Sequence, residues 1–123
     1  MEISNIVDVV ARLLFAAIFI MSGIGHFTQV SNMSQYAASK GVPAAKFMVL
    51  LTGLMILLGG LSILTGYQTR IGGVLLIVFL LPTAFVMHNF WKVEDPMEKA
   101  NQQAHFWKNL ALAGAAYLIA FAG

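Results

Sequence analysis

Four long apolar runs, broken by short polar connections, set the pattern of this chain. Residues 13–39, 47–69, 71–91 and 109–123 contain no Asp, Glu, Lys or Arg. The runs are continuously apolar, which excludes barrel strands with their period of two. Each lies near the ~20 residues that carry a helix across a hydrocarbon core. The pattern therefore predicts an all-α, four-transmembrane-helix bundle with helices over about residues 6–27, 45–65, 71–90 and 104–122.

The connections fit that outline. Ser31, Asn32, Ser34, Gln35, Ser39, Gly41 and Pro43 predict a loop over residues 28–44 holding one short interfacial helix at 33–39. Gly66-Tyr67-Gln68-Thr69 predicts a tight turn, and residues 92–103, with Lys92, Glu94, Asp95, Glu98 and Lys99 around Pro96, read as a soluble loop. Pro82 removes a backbone donor inside the third run and predicts a kink over 78–82. Gly53, Gly59, Gly60, Gly72, Gly73, Ala111, Gly114 and Ala115 predict seams where helices approach closely.

Composition turns this outline into a class. Hydrophobic residues make up 59% of the chain and charged residues 10%, against the roughly 25% charged residues of soluble domains. An integral membrane protein of one domain, residues 1–123, is expected. The first run opens with Glu2 and Asp8, lacks a basic leader and has no convincing small-x-small cleavage site, so it is read as a retained span rather than a signal peptide. Alternating spans place Lys40, Lys46, Lys92, Lys99 and Lys108 on one side against Arg12 and Arg70 on the other. The positive-inside bias then puts residues 28–44 and 92–103 in the cytoplasm. A net charge of +2, held close to lipid, gives no reason to expect nucleic acid.

The same topology brings all three histidines to one membrane face, each with aromatics close behind: His26-Phe27, His88-Asn89-Phe90-Trp91 and His105-Phe106-Trp107. Neutral imidazoles there can donate to a quinone or another carbonyl while Trp91 or Trp107 stacks on its ring. The competing explanation is structural. The histidines can bond loop carbonyls or neighbouring helices, and the tryptophans with Lys92 and Lys108 match an interfacial aromatic and basic belt. Arg12 has two readings as well. It can pair with Asp8 at i,i+4 spacing or snorkel to the interface, or its guanidinium can hold an anionic or quinone-like head group or a partner's carboxylate. No metal site is expected, because no carboxylate or thiol joins the histidines at ligand spacing. Cysteine is absent, so the chain cannot itself exchange disulfides with quinones. No phosphate loop, dinucleotide fingerprint, nucleophile elbow or zincin motif occurs.

Short motifs recur in a telling order: Arg12-Leu13-Leu14, Ser22-Gly23-Ile24-Gly25-His26-Phe27, Gly41-Val42-Pro43, and Leu64-Thr65-Gly66-Tyr67-Gln68-Thr69-Arg70. Met87-His88 and Phe106-Trp107-Lys108-Asn109-Leu110-Ala111 with Gly114 complete the set. Through these the chain resembles the DoxX-like small integral membrane proteins over nearly its whole length. The resemblance implies an inner-membrane protein of four helices. The family's namesake is a subunit associated with thiosulfate oxidation coupled to quinone reduction. Its recurring polar positions fall here on Arg12, His88, Lys108 and Asn109. His26 stands where many relatives carry lysine, and Ile56 where many carry glutamate.

The expectation is thus a membrane subunit that binds quinone or another amphipathic molecule in support of a redox complex. Its candidate ligand-binding residues are Arg12, His26, His88, Trp91, His105, Trp107, Lys108 and Asn109, with no catalytic residue assigned. The alternative is a non-catalytic structural or assembly module, including a homo-oligomer. Solute transport ranks last, since no ionisable residue lies at mid-membrane.

Overall fold

A computed structural model describes residues 3–122. Met1, Glu2 and Gly123 lie outside the described residues, and with them the part of the leader argument that rests on Glu2. The described chain is all-α: α1 (Ile3–Thr28), α2 (Val30–Ser39), α3 (Ala45–Thr65), α4 (Thr69–Met87) and α5 (Pro96–Tyr117), with a 3-10 turn at Phe90–Lys92 and a π-helical end at Leu118–Ala122. Three stretches are long and apolar enough to cross a membrane: Asn5–Thr28, Ala45–Thr65 and Thr69–Lys92. Residues 104–122, expected as a fourth span, do not join them, because His105, Lys108 and Asn109 interrupt the apolar run.

The loop expected over 92–103 is replaced in large part by helix. Asp95 takes an extended backbone and its carboxylate accepts the Glu98 N–H at 2.9 Å, while Pro96 occupies the first turn where no amide donor is needed. Charged residues that read as soluble loop are the capped start of α5. The third predicted helix ends earlier than residue 90. His88 leaves helical geometry, Phe90 N–H returns to the His88 carbonyl at 2.9 Å, and Lys92 N–H to that of Asn89 at 3.0 Å. The short interfacial helix appears as α2, one turn longer at its start.

The tight turn expected at Gly66 joins α3 to α4. Gly66 and Gln68 both adopt left-handed backbone, φ 77° and 53°, and Ser62 Oγ donates to the Tyr67 carbonyl at 2.6 Å.

Packing follows the chain: α1 lies on α3, α3 on α4 and α4 on α5, with α2 laid across α3. Phe19, Ile56, Ile63, Leu76, Leu80, Ala113 and Ala116 form the shared core. Ile56 is fully buried there, an apolar packing site. Small residues let backbones meet. A Cβ on Gly53 would sit 2.5 Å from the Cβ of His26, and one on Gly73 would sit 2.5 Å from that of Ala120.

One expected seam is misplaced. Gly114 is exposed with nothing within 4 Å of a Cβ position, and Ala111 is exposed too. The inward stripe of the last helical segment is instead Gln102, Phe106, Asn109, Ala113, Ala116 and Ala120, the three-to-four spacing of one helix face. The outer surface carries large apolar side chains such as Leu14, Met21 and Phe47, as lipid contact requires.

Candidate functional site

A cavity of about 810 Å³ opens among all five helices. Ile18, Phe19, Met55, Val78, Phe79 and Leu112 contribute to its mostly apolar wall, and α2 borders it through Met33, Tyr36 and Ala37. Polar side chains enter that wall from every helix: Ser22 and His26 from α1, Asn32 and Tyr36 from α2, Thr52 from α3, Thr83 from α4 with His88 just beyond it, and Lys108 and Asn109 from α5.

His26 is 5% exposed. Its Nδ1–H donates to the Ser22 carbonyl one turn earlier at 2.7 Å, and its ring meets Phe79 edge-on at 5.9 Å. The bare backbone of Gly53 is what lets the side chain lie so close to α3. His88 is held from the other side. Its Nδ1–H donates to Gln102 Oε1 at 2.8 Å, and Gln102 Nε2 donates in turn to Glu98 Oε1 at 2.8 Å. This Glu98–Gln102–His88 chain exists because α5 begins at Pro96, which places Glu98 and Gln102 one turn apart on its first turns. Nearby, Lys40 Nζ donates to Asn89 Oδ1 at 3.1 Å and ties the end of α2 to the end of α4.

Asn109, one of the expected residues, lies on the same wall. It is 4% exposed, lines the cavity, and its amide makes no hydrogen bond among the described residues. No buried side-chain nitrogen or oxygen among those residues is sealed off without a partner, so the amide faces open space. A primary amide offers both donors and an acceptor, so it can serve either partner of a ligand hydrogen bond.

Of the eight predicted ligand-binding residues, the structure brings four together at the cavity: His26, His88, Lys108 and Asn109. His105 stacks on His88 with ring centroids 5.1 Å apart and accepts from Lys108 Nζ at 3.4 Å, but it is exposed and does not line the cavity. Trp91 and Trp107 pack around Phe106 at 5.6 and 5.2 Å, are about half exposed, and lie outside the cavity wall. Half-exposed rings outside the cavity suit the aromatic belt of the alternative reading. Arg12 sits toward the opposite end of α1, roughly 21 Å from His26 along the axis. Its Nε donates to Asp8 at 3.0 Å and its Nη1 to the Ile63 carbonyl at 2.8 Å. That carbonyl is in the last turn of α3, where backbone acceptors lack helical partners and a cation is favoured.

Sequence reasoning missed Gln102, Thr52 and Tyr36. Gln102 was legible in principle, four residues after Glu98 and seven before Asn109, once the helix start at Asp95 is recognised.

An all-α chain with three membrane-crossing stretches and an internal cavity is an integral membrane protein. Its relatives place it in the inner membrane. The DoxX family profile matches residues 7–89, and the chain belongs to the DoxX family. It is similar to the inner membrane protein YphA of Escherichia coli strain K12, 31% identical over 93% of this chain and 81% of that protein. It is also similar to the inner membrane protein YqjF of the same strain, 34% identical over 99% of this chain and 88% of that protein. No solved structure matches the chain.

Proposed function

We propose that this DoxX-family protein binds a quinone or another amphipathic molecule in its central cavity, in support of a membrane redox complex. Asn109 carries the reading: a buried amide left without a partner among the described residues, in a mostly apolar wall, suits a ligand with an apolar body and a polar head. His26, His88 and Lys108 supply further polar contacts on the same wall. In this reading the chain crosses the membrane four times, with residues 104–122 as the fourth span and their polar start, Lys108 and Asn109, turned to the protein interior and the interface. The lysine bias favours a cytoplasmic setting for 28–44 and 92–103. The test is equilibrium binding of decylubiquinone and of its reduced form, decylubiquinol, to the full chain in lipid nanodiscs. Saturable binding is expected, weakened about tenfold by Asn109→Leu. Binding no greater than to empty nanodiscs overturns the proposal.

One observation favours the assembly reading as an addition. Gly114 is exposed, and open space lies over it, so a helix of a second copy has room to approach there. Gly114→Leu would then shift the protein to a smaller species in light scattering while leaving ligand binding intact.

A further inference from the structure

The two cavity histidines each commit one ring nitrogen to the protein, and the chemistry of the partner fixes which tautomer that leaves. His26 Nδ1 lies 2.7 Å from the Ser22 carbonyl oxygen. A carbonyl only accepts, so Nδ1 carries the proton. His88 Nδ1 lies 2.8 Å from Gln102 Oε1. The orientation of that amide is set at its other end, where Nε2 donates to the accept-only carboxylate of Glu98 at 2.8 Å. The atom facing His88 is therefore the amide oxygen, and His88 Nδ1 is also a donor. In a neutral imidazole with the proton on Nδ1, the remaining nitrogen is a bare acceptor. Neither Nε2 has a partner among the described residues, and no buried side-chain nitrogen is sealed without one, so both open to the space around them.

This reverses the expectation that the histidines donate to a ring carbonyl. A carbonyl set against either Nε2 brings two lone pairs together with no proton between them, and both lose their water. A hydroxyl supplies the missing proton. We propose that the cavity selects an amphipathic molecule whose head group donates hydrogen bonds, a phenolic or alcoholic hydroxyl on an apolar body, over one whose head group only accepts them. The inference rests on the cavity being a ligand site and names the class of ligand it takes. Asn109 can meet either kind of head group, and the Lys108 ammonium can donate to a hydroxyl oxygen as well as to a carbonyl or ether oxygen, so the discrimination lies with the two imidazoles. Gln102 is a positioning residue: it touches no ligand and acts by holding the His88 tautomer.

Binding of three matched probes to the full chain in nanodiscs tests this at about pH 8, above the ordinary imidazole range. The probes are para-decylphenol, its methyl ether and decylbenzoquinone. The phenol is expected to bind at least about tenfold more tightly than either acceptor-only probe. His26→Leu and His88→Leu should each reduce that preference, and Gln102→Leu should reduce it without abolishing binding. Equal or tighter binding of the ether or quinone overturns the inference and leaves the cavity a ligand site. A preference that survives in both histidine variants overturns the assignment to the imidazoles. Saturable binding of none of the three removes the site itself and this inference with it. The wild-type comparison decides the first and last outcomes even where a histidine variant fails to fold.

Discussion

The two ends of α1 carry similar polar intrusions in an apolar helix and use them in opposite ways. At one end Arg12 is met by Asp8 and by the Ile63 carbonyl, and the neighbouring turn is closed by Ser62. At the other, among the described residues, His26 is bonded on one nitrogen only and Asn109, on the same cavity wall, on none. The first end is a joint, with its donors directed at orphaned backbone acceptors. The second holds polar atoms in reserve beside a space large enough for a ligand. A lone polar residue in a membrane helix is thus classified by what its partners leave unsatisfied rather than by its type or depth.

The largest effect that would break this contrast comes from the shared seam. Gly53→Leu forces a side chain into the position of His26 Cβ, and a loss of about 3 kcal/mol is expected from overpacking, read as a collapse of the thermal midpoint in nanodiscs. Arg12→Leu should follow at about 2 kcal/mol, because it strips the α3 end of a charged donor. Its affinity for decylubiquinone per folded molecule should stay at the wild-type value. A weakened affinity at full stability would make Arg12 a ligand residue and erase the distinction between the ends. Asn109→Leu sharpens the contrast from the other side. An amide without a protein partner contributes no internal hydrogen bond, so stability should hold or rise by up to about 1 kcal/mol while affinity falls. A stability loss comparable to that of Arg12→Leu would show that Asn109 is structural. The smallest effect is reserved for Trp107→Ala, whose half-exposed ring lies outside the cavity; ligand affinity should change by less than about twofold.

Much of the fold was legible because lipid leaves a plain signature. The bounds of α3 are the residues 45–65 expected from its apolar run, and the turn after it follows from Gly66, which suits left-handed backbone. The start of α5 was not, although its signal was local. Asp95, Pro96 and Glu98 form an N-cap, a first-turn proline and a capped amide, but their charge resembled a loop, and the apolar criterion for a span is blind to a helix that begins in water. That one misreading hid Gln102 and with it the anchor of His88. In the site, polarity within apolar runs pointed to His26, His88, Lys108 and Asn109. It could not separate them from Trp91, Trp107, His105 and Arg12, because helical period gives the angle between residues and not the neighbour each face will meet. Gly114 failed for the same reason: glycine permits close approach on any face, and the inward face was set by Phe106 and Ala113.

His26 rests on the main chain of α3 at Gly53, which has a consequence for redesign. A ring seated on backbone keeps its place when surrounding side chains are exchanged, whereas one wedged between side chains moves with them. Thr52, Met55, Val78 and Leu112 can therefore be varied to reshape the chamber around a stationary imidazole. A library built on those four positions would alter the size and contour of what fits, leaving the hydrogen-bonding post untouched.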